Sequence, residues 1–62
     1  MNTKKMIKWL EDTCALVLYD CMDDAVVFWD TAESNAKHYK ALRAFPDWDS
    51  VENYARWLGY VD

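Results

Sequence analysis

The sequence predicts a small α+β domain, built as a helix, a β-hairpin and two further helices. Three observations carry that reading. The chain has 62 residues, 53% of them hydrophobic, with one Gly and one Pro. It is therefore a single domain, residues 1–62, with little room for loops. Two apolar runs, residues 15–19 and 25–29, flank the short acidic stretch Asp20-Cys21-Met22-Asp23-Asp24. Two Asp-x-x-Glu signatures, Asp30 with Glu33 and Asp49 with Glu52, stand before segments of helical spacing and have the form of capping boxes.

The first helix is expected over Thr3–Asp12. Thr3 serves as its cap, and Met6, Ile7, Leu10 and Cys14 follow helical spacing. Its lysines come first and its acids last, against the helix dipole. That conflict raises the alternative that the helix runs on past Asp12. The two apolar runs are rich in β-branched and aromatic residues, which suits strands, and the acidic stretch between them suits a turn. Cys14, Val17, Cys21, Ala25 and Phe28 also fit a helical period, so an all-α fold is the alternative.

A third piece is expected as a helix over Thr31–Ala44. Ala32, Ala36, Tyr39, Leu42 and Phe45 would form its inward stripe. Lys37, Lys40 and Arg43 would form a basic stripe, and Pro46 would end the helix and hold Phe45 extended. The last helix is expected over Ser50–Leu58. Val51, Tyr54, Ala55 and Leu58 would face inward, and Gly59 would close the helix.

Charge and composition narrow the function. Seven basic and eleven acidic residues leave a net charge of −4. An acidic chain lacks the clustered Lys and Arg that phosphate backbones require, which speaks against nucleic acid. A nucleic-acid-binding regulator using Lys37, Lys40 and Arg43 is the most distant alternative. No apolar run exceeds six residues, so no segment reads as a membrane span or a signal peptide, and the expected compartment is the cytoplasm. Cys14 and Cys21 are seven apart, unlike a Cys-x-x-Cys pair. With His38 they would still want a fourth metal ligand, so buried free thiols are expected, with no metal and no cofactor. No nucleophile stands at a recognisable spacing from His38, so no enzyme is expected.

The charge is ordered. Residues 9–33 carry seven acids and no Lys or Arg, between two segments of charge +3. Ten aromatics in 62 residues exceed what a small core readily hides. In the hairpin reading, Leu16 and Leu18 share one face of the first strand and Val17 and Tyr19 the other, while Val26 and Phe28 share a face of the second, opposed by Val27 and Trp29. Both faces are apolar, and two helices cover only one well. The function expected is a small acidic protein-interaction module. Its contact residues would be Tyr19, Asp20, Asp23, Asp24, Trp29 and Asp30, with a protein partner of basic surface. One version is an inhibitor of a nucleic-acid-handling protein, since compact acidic proteins of this size are frequent among phage and mobile-element accessory proteins. A homodimer that buries the second face against itself is the alternative.

Overall fold

A computed structural model describes residues 2–61, with side chains throughout except at 20–22. The order is α1 (Thr3–Cys14), β1 (Leu16–Met22), β2 (Ala25–Asp30), α2 (Thr31–Lys37), β3 (Leu42–Phe45) and α3 (Trp48–Leu58). The α+β class and the hairpin hold. The sheet, however, has three antiparallel strands in the order β1-β2-β3.

α1 runs two residues beyond Asp12, and its cap is Asn2, whose side chain accepts from the Lys5 amide at 3.1 Å. Ala15 turns left-handed at φ 56 to end it, and its N–H bonds the Leu10 carbonyl. β1 and β2 close on the two-residue turn Asp23-Asp24. Their pairing runs from Leu16 opposite Asp30 to Met22 opposite Ala25, with a bulge between Leu18 and Asp20 that makes Tyr19 the extra residue.

The expected helix over Thr31–Ala44 is the main correction. Asp30 caps α2 as expected, accepting from the Glu33 amide at 2.9 Å, but the helix stops at Lys37, and His38 turns left-handed at φ 60. Residues 42–45 pair with β2 instead, Trp29 opposite Leu42 and Val26 opposite Phe45. A helix through residue 44 would leave the second side of β2 with unpaired backbone groups, and pairing them overrides the high helix propensity of Lys40-Ala41-Leu42-Arg43-Ala44. The expected inward stripe therefore does not form. Leu42 and Tyr39 are exposed, and Lys37, Lys40 and Arg43 are divided among a helix, a connection and a strand. α3 begins at Trp48, and its cap is Asp47, which accepts from the Ser50 amide at 2.8 Å. Gly59 ends it at φ 116, as the sequence implies.

α1 packs on β1, α3 packs on β3, and the two helices touch. Between them and the sheet lies the core: Met6 and Leu10 from α1, Leu16, Val26 and Phe28 from the sheet, Val51 and Ala55 from α3, and Tyr60. Trp9 lies 5.4 Å from Tyr60 between ring centres, and Phe28 meets both Phe45 and Trp48 edge to face. With Tyr54, six of the ten aromatics are thus in the core or packed against it. Both helices lie on one side of the sheet.

Candidate protein-binding surface

Strand alternation assigns the other side of the sheet. Val26 and Phe28 are buried beneath the helices, so their neighbours Val27 and Trp29 point away. Register carries this across the sheet: Val17, Trp29 and Leu42 form one cross-strand row, and Val27 and Ala44 belong to the next. None of these five residues belongs to the core. Trp29 is 37% exposed, Leu42 48% and Tyr19 50%. The surface is largely apolar and faces away from α1 and α3, while α2 touches its Trp29 end through Ser34.

The ends of this surface differ in charge. At one end is the turn, with Asp23 and Asp24 both exposed. At the other end is Lys40, two residues ahead of β3. Its side chain reaches across β2 to β1, where Nζ donates to the Tyr19 hydroxyl at 2.6 Å and sits 4.1 Å from the ring centre. Among the described residues, Asp23, Asp24 and Lys40 have no ionic partner, whereas Lys37 and Arg43 are paired with acids.

The expected contact residues therefore separate. Tyr19 and Trp29 lie on the open surface, and Asp23 and Asp24 lie at its tip. Asp20 pairs with Val27 in the ladder, and its side chain lies outside the described residues. Asp30 stands apart, on the helix-covered side and at the opposite end from the turn. It is buried, caps α2 and accepts from Arg43 Nε at 3.0 Å. The Glu33 amide first, and the Arg43 guanidinium with it, hold its carboxyl below the usual range against the cost of burial. Trp29 is tied down as well, since its indole N–H donates to Ser34 Oγ at 2.8 Å. The sequence reading missed Leu42 and Ala44 as surface residues, and it set Lys40 on a helical basic stripe with Lys37 and Arg43 instead of beside Tyr19. One signal was present: Pro46 holds Phe45 extended, and an extended residue ends a strand as readily as it follows a helix.

The helix-covered side also carries an open groove of about 560 Å³, lined by Cys14, Leu16, Asp30, Arg43, Tyr54 and Leu58 among others. Its charges satisfy one another: Arg43 holds Asp30, and Lys37 holds Glu33 at 3.2 Å. Burial pushes the Cys14 thiol up, which keeps it protonated and a poor nucleophile at neutral pH. Among the described residues no cluster of His, Cys, Asp and Glu is placed to hold a metal ion. No helix of the described residues is long and apolar enough to cross a membrane. No protein-family model, curated protein or solved structure matches the chain.

Proposed function

We propose that this chain is a protein-interaction module that acts by binding, not catalysis, through the uncovered face of its sheet. The observation that supports it is the one-sided packing: both helices lie on one face, and Tyr19, Trp29 and Leu42 remain exposed on the other. Exposed aromatic and aliphatic side chains on a rigid sheet are the kind of anchors that supply most binding energy. Asp23 and Asp24 at the tip would steer a positively charged partner surface and give association its salt dependence. A cytoplasmic setting belongs to the same reading, with Cys14 as a free thiol.

Inhibition of a nucleic-acid-handling protein by filling a basic cleft has weaker support. Lys40 lies across the same face and would meet the cleft with like charge.

The test is capture by tagged protein, both from lysate and from a mixture with untagged protein, comparing wild type with Leu42→Asp. Leu42 is outside the core, so the variant retains its fold, which circular dichroism checks. A protein retained near stoichiometry by wild type and lost with Leu42→Asp is the expected result. Equal capture by both, or none by either together with a chain that stays monomeric at about 1 mM, removes the reading.

A further inference from the structure

Resting on that reading, we infer that the partner is a second copy of this chain, docked face to face about a two-fold axis that runs across the strands. The charge order of the face selects this occupant. One end carries Asp23 and Asp24, and Lys40 enters from the other end to hold its ammonium over Tyr19, all three without ionic partners among the described residues. A uniformly basic surface would match the turn and oppose Lys40. The complementary surface must be basic at one end and acidic at the other, which is the order the chain itself presents when reversed.

Symmetry then fixes the arrangement. A two-fold along the strands would set turn against turn and bring four aspartates together. A two-fold across the strands reverses one copy and brings Asp23 and Asp24 of each to the end from which Lys40 of the other enters, where its ammonium leaves Tyr19 to pair with them. Packing agrees with the same axis. The large row, Val17-Trp29-Leu42, and the smaller row, Val27 with Ala44, lie on either side of the Phe28 level. Rotation about an axis at that level sets Trp29 over Val27 of the second copy and Leu42 over its Ala44. On β2 and β3, large residues thus meet small ones across the two sheets, as in the core of a β-sandwich with sheets about 10 Å apart.

The area sets the strength. Three strands at about 4.8 Å spacing and some 20 Å long give a flat footprint of only roughly 300 Å² per copy. Such a patch lies well below the ~800 Å² per partner of standard interfaces, so the dimer is weak and concentration-dependent.

The experiment is sedimentation velocity on the full chain, from about 10 μM to about 1 mM, a range that covers high-micromolar dissociation constants. Wild type is compared with Lys40→Glu, with Asp23→Lys/Asp24→Lys, and with all three changes together. These side chains are exposed, and far-UV circular dichroism confirms that each variant is folded. The expected result is a wild-type dimer weakened about tenfold or more by either reversal and regained in the combined variant, the signature of charge pairs across an interface. A wild type that stays monomeric throughout the range overturns the inference, as does a combined variant no tighter than its parents. If self-association is absent while a foreign protein is still captured and lost with Leu42→Asp, only the self-pairing falls. If neither occurs, the interaction reading falls with it.

Discussion

Ser34 shows how tightly single residues are used here. Its hydroxyl donates to the Asp30 carbonyl and accepts from both the Trp29 indole and the Ala41 amide, each at 2.8 Å. One donor and two lone pairs are all a hydroxyl has, so the group is saturated. Asp30 beside it joins α2 to β3 through the Glu33 amide and Arg43. Because folding lowers its pKa, its charge contributes stability fully above the unfolded-state value of about 3.9, and that contribution is lost as pH falls through the lower folded value. Asp30→Asn keeps a competent cap and loses the ion pair with Arg43. It should cost about 1–3 kcal/mol at neutral pH. Urea unfolding as a function of pH checks this: the gap between wild type and variant should close below about pH 4.

Among the elements, those with strong local signals were legible. The cap at Asp30 and the closure at Gly59 were read directly, while the caps of α1 and α3 are Asn2 and Asp47, one and two residues before Thr3 and Asp49, the caps read from the sequence. β3 was not legible, because residues 40–44 carry no strand signal of their own. They become a strand through β2, which offers them an unpaired side, and through Ser34, which fixes the Ala41 amide. Local periodicity could not see either partner. The same shift hid Leu42 from the candidate surface and set Lys40 on a helical stripe instead, whereas Tyr19 and Trp29 were visible by alternation alone. Asp30 was misplaced for a related reason: a carboxylate that caps a helix and one that greets a partner look alike in sequence. Two helices end on residues that would rather be glycine, Ala15 at φ 56 and His38 at φ 60. Ala15→Gly relieves the first and should stabilise the protein by up to about 1 kcal/mol, read as a higher thermal midpoint. Its carbonyl would still accept from the Thr31 amide and hydroxyl, so that link between α1 and α2 is kept.

For the molecule as a whole, size governs tolerance. A chain of this length has about 3–9 kcal/mol of stability, and Phe28, fully buried at the centre of the core, carries much of it. Phe28→Ala removes about 3–5 kcal/mol, enough to unfold much of the population. Trp57, 79% exposed, is stacked only on Tyr54, so Trp57→Ala should shift stability by no more than about 0.5 kcal/mol. Far-UV circular dichroism of the two variants separates these outcomes. The bulge at Tyr19 matters at this scale as well. β1 has no strand on its outer side, and seven regular residues there would be a template for another chain's strand. The extra residue breaks that rim into two short lengths, neither long enough to hold a second ladder. Growth along a rim has no natural stop, while contact through a flat face is complete once two surfaces have met. In the pairing inferred above, the break at Tyr19 leaves the flat face, which closes at two copies, as the route of assembly.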